Sequence, residues 1–161
     1  MHQLNYKKFE AKDFNDYFRL VSNEQVMAQI TERAIPLEEA QADYEKLLER
    51  NGQHELYGSY KVYDSSSGEY IGLGHVTLNE DRIEEAEIGY MLLPAYWGKG
   101  YGSTIAEQLI ELAKQTEVKI LKAIIDPGNI PSRKILIKQR FTSEKVCEMD
   151  GLPGEILSRF I

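Results

Sequence analysis

Three glycines at alternate positions, Gly98, Gly100 and Gly102, separate the apolar run AEIGYMLLP from the amphipathic run GSTIAEQLIELAKQ, and Lys99 sits among them. Glycine at a helix start costs roughly 0.5–1 kcal/mol relative to alanine, so three need a reason. A helix N-terminus carries unpaired N–H groups and about half a positive charge. Glycines just before it remove side chains and let a phosphate reach those N–H groups, with Lys99 adding a cation. The competing reading is a tight strand-to-helix turn that needs positive φ; one glycine would satisfy it.

Spacing narrows the phosphate ligand. A Walker loop requires Gly-x-x-x-x-Gly-Lys-Ser/Thr, and no Lys-Ser/Thr pair follows here. A Rossmann fingerprint requires Gly-x-Gly-x-x-Gly; counting from Gly98, the third place is Ser103. Asp126, at the end of the next apolar run, suits a ribose contact, which keeps a nucleotide-dependent oxidoreductase as a rival. Only 35 residues follow Asp126, too few for the remaining parallel units of a dinucleotide fold.

The elements around the loop follow from periodicity. A strand is expected over 2–9 and a helix capped by Asp13, restarting where Ser22 and Gln25 resemble a capping box. Pro36 opens a helix that Asn51-Gly52 should stop. Strands are expected over 55–64, 69–79 and 85–93, and a helix over 102–115. A strand over 119–126, without clean alternation, suggests cover on both faces. A basic helix over 129–140 and a hairpin over 141–161 complete the chain. Antiparallel strands feeding a strand–helix–strand crossover imply an α/β (α+β) fold in one domain: a mixed, mostly antiparallel sheet of about seven strands with helices on both faces.

Composition excludes several classes. The 161 residues carry a formal charge of −7, a poor match to nucleic acid. The single cysteine, Cys147, forms no internal disulfide, and three histidines without ligand spacing make no metal site. His75 reads as ordinary packing. No apolar signal core or membrane-length run is seen, so a cytoplasmic protein without membrane contact is expected.

The chain resembles the GNAT superfamily of N-acetyltransferases, in the branch that includes the ribosomal-protein N-terminal acetyltransferases. LVSNEQVMAQIT (20–31), AEIGYMLLPAYWGKGYGS (86–103) and AIIDPGNIPSRKILIKQRF (123–141) carry the resemblance, with the element order. Trp97 stands where the loop motif usually has glutamine or arginine, and Arg140 precedes Phe141 where the family often has glycine.

The resemblance implies acetyl-CoA as cosubstrate, with no metal. Gly98, Lys99, Gly100, Tyr101, Gly102 and Ser103, beside Trp97, would hold the pyrophosphate. Strand four would splay from strand five, and Met91, Leu92 and Leu93 would pair with the pantetheine arm; Asn129 would also contact it. The acceptor would be a primary amine, on a small molecule or a protein N-terminus, and a homodimer is a family-level expectation. A lysine-type amine is almost wholly charged at pH 7, and an α-amino group is roughly a tenth neutral, so attack needs a base. Glu87, sharing a strand face with Gly89, Met91 and Leu93, is the candidate, and Ser132 is the candidate acid for the leaving thiolate. A coenzyme A-binding sensor without turnover is the alternative.

Overall fold

The computed structural model describes residues 2–161. Seven strands form one sheet: β1 (Leu4–Lys8), β2 (Gly58–Asp64), β3 (Tyr70–Leu78), β4 (Glu85–Leu92), β5 (Ile120–Ile125), β6 (Thr142–Met149) and β7 (Leu152–Phe160). Their spatial order is β1-β2-β3-β4-β5-β7-β6, and β4–β5 is the one parallel pair. This is not the doubly wound parallel sheet of a dinucleotide fold.

The helices divide between two faces. Helix α1 (Phe14–Val21), α2 (Glu24–Met27) and α3 (Leu37–Gln53) bury Leu20, Val26, Ala40, Tyr44 and Leu47 against Tyr70, Leu73 and Leu93. On the opposite face, α4 (Tyr101–Lys114) and α5 (Ile130–Lys138) bury Ile105, Leu109, Ala113 and Leu136 against Ile71, Val76, Ile88 and Leu121. A buried Lys61–Asp13 ion pair, 2.7 Å, ties the segment before α1 to β2.

Several boundaries differ from expectation, each for a visible reason. The cap of α2 is Asn23, not Ser22; its Oδ1 accepts from the N–H groups of Gln25 and Val26. Asp13 does not cap α1, because its carboxylate accepts from Glu10 N–H and Lys61. Helix α3 runs past Asn51-Gly52 to Gln53. Asn51 is instead held by the backbone just after β1 and in β2: its side-chain amide donates to Phe9 O and Ser59 O, and its Oδ1 accepts from Ser59 N–H. Strand β5 is covered on one face only: Leu121 and Ala123 are buried while Ile124 is exposed, because α1–α3 do not extend over this part of the sheet.

One feature of the sheet positions the site. Strand β4 has eight residues and β5 six, yet they pair at only three positions, Glu85↔Ile120, Ala86↔Leu121 and Glu87↔Lys122. Beyond Glu87 the strands part.

Candidate active site

The splay leaves one edge of β4 open. Strand polar groups alternate in direction along a chain. Met91 O faces β3, where it lies 2.1 Å from where a Cβ on Gly72 would sit, and Leu93 N–H donates to Ile71 O. The N–H and C=O groups of Ile88, Tyr90 and Leu92 therefore face the gap. Such an edge can accept one more extended chain. The Leu92 carbonyl is already engaged by the Trp97 indole N–H at 2.9 Å.

At the end of β4 the chain turns through Pro94–Tyr96 into the glycine loop. Gly98 and Gly100 take φ of 71° and 87°, in the left-handed region. Nothing lies within 4 Å of a Cβ placed on Gly98, and only the His2 ring, at 3.8 Å, on Gly100. These two glycines thus serve both explanations: the turn needs their φ, and the space above them is open. Gly102 serves neither; a Cβ there would meet Ile135 Cδ1 at 3.1 Å and Tyr90 Cε2 at 3.6 Å. Gly100 is the N-cap of α4 and no side chain caps the helix, among the described residues. The first intrahelical bond is Thr104 N–H to Gly100 O, so the N–H groups of Tyr101, Gly102 and Ser103 are left to the loop side.

The gap and the helix start open into one cavity of about 460 Å³. It joins Met91, Leu92, Trp97, Gly98, Gly100, Tyr101, Gly102, Ser103, Asn129 and Ser132, all expected site residues. Lys99 and Leu93 are not in its wall. Leu93 is buried in the core under α1–α3, and the Lys99 carbonyl is held by the His2 ring, which stacks on Tyr101. Asn129 caps α5 through a long 3.4 Å bond from Ser132 N–H. Arg133 is drawn away from the cavity by a two-point contact with buried Glu155, at 3.0 and 3.2 Å.

Glu87 lies outside this wall. It sits on the α1–α3 face of β4, four residues and roughly 13 Å before Met91. It is half-buried, has no ion pair among the described residues, and burial pushes its carboxyl up. Nearby Lys122 engages Glu144 and Glu85 instead. On β3, Thr77 is opposite Glu87 and His75 opposite Gly89. The His75 Nδ1 lies 3.0 Å from Thr77 Oγ1, and its Nε2 would be 2.4 Å from a Cβ on Gly89. Burial pushes this imidazole down to about 4, so it is neutral.

Sequence reasoning missed part of the wall. Gln25, Val26, Gln29 and Ile30 line the cavity from α2 and the turn after it, and Gln29 donates to Gly128 O across the mouth. Nothing in their spacing marks them. Tyr90 was hidden among ten tyrosines. Among the described residues no three His, Cys, Asp or Glu side chains are grouped to hold a metal, and no helix is long and apolar enough to cross a membrane.

Comparison with known proteins decides the family. A family model described as an acetyltransferase (GNAT) domain matches residues 3–142. The chain belongs to the GNAT acetyltransferase family. Among curated relatives, this acetyltransferase is 28% identical over 134 residues to the uncharacterized N-acetyltransferase YnaD of Bacillus subtilis (strain 168), covering 82% of this chain and 75% of that protein. It is 29% identical to the uncharacterized N-acetyltransferase p20 of Bacillus licheniformis over 86 residues, 53% of this chain and 48% of that one. Its fold is shared with the spermidine N-acetyltransferase of Vibrio cholerae, solved with CoA and spermine (TM-score 0.81, 17% identity, covering 98% and 95% of the two chains). It is shared equally with the aminoglycoside acetyltransferase AAC(6')-Ib, solved with coenzyme A (TM-score 0.80, 16% identity, 98% and 95%).

Proposed function

We propose that this acetyltransferase moves the acetyl group of acetyl-CoA to a primary amine by direct attack on the thioester. The observation that carries the reading is the continuity of the cavity: the uncapped start of α4, the open edge of β4 and the α5 wall meet in one space. The N–H groups of Tyr101, Gly102 and Ser103 suit a pyrophosphate. The Tyr90 carbonyl and the Leu92 N–H suit the amides of an extended pantetheine arm, with Asn129 across the gap. Acetyl-CoA, when bound, supplies an acetyl thioester at the foot of the cavity.

Glu87 takes the proton of the attacking amine through a chain of waters, since three strand residues, roughly 10 Å, separate it from Tyr90 at the cavity wall. Its raised pKa brings it nearer to neutral pH, where a base works best. The Tyr90 backbone N–H is a fixed donor on the open side of β4, suited to the oxyanion. Ser132 stands on the opposite wall, toward the departing sulfur. The acceptor is proposed to be a small cationic amine: the chain is acidic, and two structural neighbours are polyamine and aminoglycoside enzymes by name. The resemblance to the ribosomal-protein branch adds protein N-termini to the acceptors worth testing.

Trp97 is the single tryptophan and lines the cavity, so its fluorescence reports occupancy. Titration with acetyl-CoA, CoA and NAD should give a saturable change with the first two only. A panel of polyamines, aminoglycosides, amino acids and N-terminal peptides, read by thiol release, then finds the acceptor. No response to either CoA species would overturn the reading; tight binding with no turnover across the panel would favour a coenzyme A sensor.

A further inference from the structure

Among the described residues, the Tyr90 hydroxyl is the one buried side-chain polar atom without a hydrogen-bond partner. Buried polar groups are nearly always paired, and an unpaired one bears its full desolvation cost. Phenylalanine would fill the same space without that cost. The ring lies on the α4 face of β4, packed beneath Gly102, where a Cβ would be 3.6 Å from Tyr90 Cε2. Tyr90 and Ser132 both line the cavity, and the Ser132 side chain is the polar neighbour of the phenol. Two hydroxyls thus stand together on opposite walls of the splay, one from β4 and one from α5, and neither is committed to another side chain.

The chemistry at that place identifies what they serve. When the C–S bond of the thioester breaks, its electron pair stays on sulfur, and this is the new charge on the coenzyme side of the reaction. In a buried cleft such a charge needs donors. We propose that Tyr90 and Ser132 form a two-hydroxyl seat for the coenzyme A thiolate: once the coenzyme is bound, Ser132 O–H donates to sulfur and Tyr90 O–H, unpaired in the ligand-free chain, donates to Ser132 Oγ. Tyr90 is then a positioning residue that acts through Ser132.

It is not the proton source. A phenol is a weaker acid than a thiol, near 10 against 8.5, and burial raises Tyr90 further. Both hydroxyls keep their protons, and the thiolate takes its proton from water. The role needs a permanently neutral donor, and burial provides one.

This inference rests on the coenzyme A reading, and its test needs no acceptor. The affinity of the full chain for CoA and for acetyl-CoA is measured by calorimetry from pH 7 to 9.5. Acetyl-CoA has no ionisable thiol and serves as the reference. A site that favours thiolate lowers the bound thiol pKa, so wild-type affinity for CoA relative to acetyl-CoA should rise with pH, by about tenfold for each unit of lowering. Tyr90→Phe should remove most of that rise, Ser132→Ala should remove it too, and the double variant should do no more than Ser132→Ala. Without ligand, Tyr90→Phe should unfold at the wild-type temperature or higher, since it removes an unpaired hydroxyl. A wild type that binds both compounds without that rise, a wild-type pH dependence retained in Tyr90→Phe, or a loss of ligand-free stability in that variant overturns the seat. Failure of wild type to bind either compound overturns the coenzyme reading itself.

Discussion

Gly100→Ala separates what the glycine loop does for folding from what it does for the ligand. At φ 87° an alanine is strained by about 1–2 kcal/mol. Losing the flexibility of glycine in the unfolded chain returns roughly 0.5–1 kcal/mol. No steric cost is added, because only His2, at 3.8 Å, approaches the new Cβ. The net loss is about 0.5–1 kcal/mol, which for a chain of this size lowers the melting temperature by roughly 1–4 °C. Binding should suffer more. The Cβ enters the open space above the first N–H groups of α4, and losing one charge-assisted hydrogen bond of about 1.5–3 kcal/mol weakens acetyl-CoA roughly 10- to 100-fold. Thermal denaturation without ligand and calorimetry with acetyl-CoA measure the two effects. A variant with the expected melting temperature and unchanged acetyl-CoA affinity would show that the loop is only a turn. A fall well beyond about 8 °C would show that the position is packed more tightly than the geometry allows.

Three further outcomes follow from individual residues. Glu87→Gln should lower kcat by roughly 10²–10⁴ and abolish the acidic limb of the kcat/KM profile, which wild type should lose as pH falls through a pKa above the usual carboxylate range. Because burial raises that pKa, the charged form opposes folding above it, so the same variant should be no less stable than wild type at pH 7, as thermal denaturation will show. His75 has a folded-state pKa of about 4 against about 6.5 unfolded, so its contribution is complete above pH 6.5 and is lost as pH falls toward 4; chemical denaturation across that range should show up to about 3 kcal/mol of loss that His75→Gln does not share. Arg140 ends α5 at φ 69°, with Arg140 N–H on Ile137 O and Phe141 N–H on Leu136 O, an arrangement that favours glycine; Arg140→Gly should raise stability by about 0.5–1 kcal/mol in denaturant titration.

Much of the frame is readable before folding, because local rules govern it. Hydrophobic period, short apolar runs and turn residues place the strands and long helices, and α4 begins within one residue of expectation because glycines and an amphipathic stripe mark its start. Where a side chain has a distant partner, local rules fail. Asn51-Gly52 looks like a helix stop, yet Asn51 is recruited by Phe9 and Ser59, and α3 continues. Strand β5 looks two-sided in composition and is one-sided in place.

The candidate site divides along the same line. Gly98, Gly100 and the helix after them announce an anion cradle from residue type and spacing alone, since backbone φ and free N–H groups are local properties. Glu87, Gly89, Met91 and Leu93 share a face by strand alternation, which is also local. Folding alone sets the distances between segments. It parts β4 from β5 after three pairs, brings Ser132 of α5 to Tyr90 of β4, and walls the cavity with Gln25 of α2 and Gln29 of the turn after it, some 60 to 110 residues away in the chain. A buried hydroxyl without a partner likewise distinguishes Tyr90 from nine other tyrosines, because what a polar group can reach depends on what the rest of the chain packs around it, and no window of sequence contains that information.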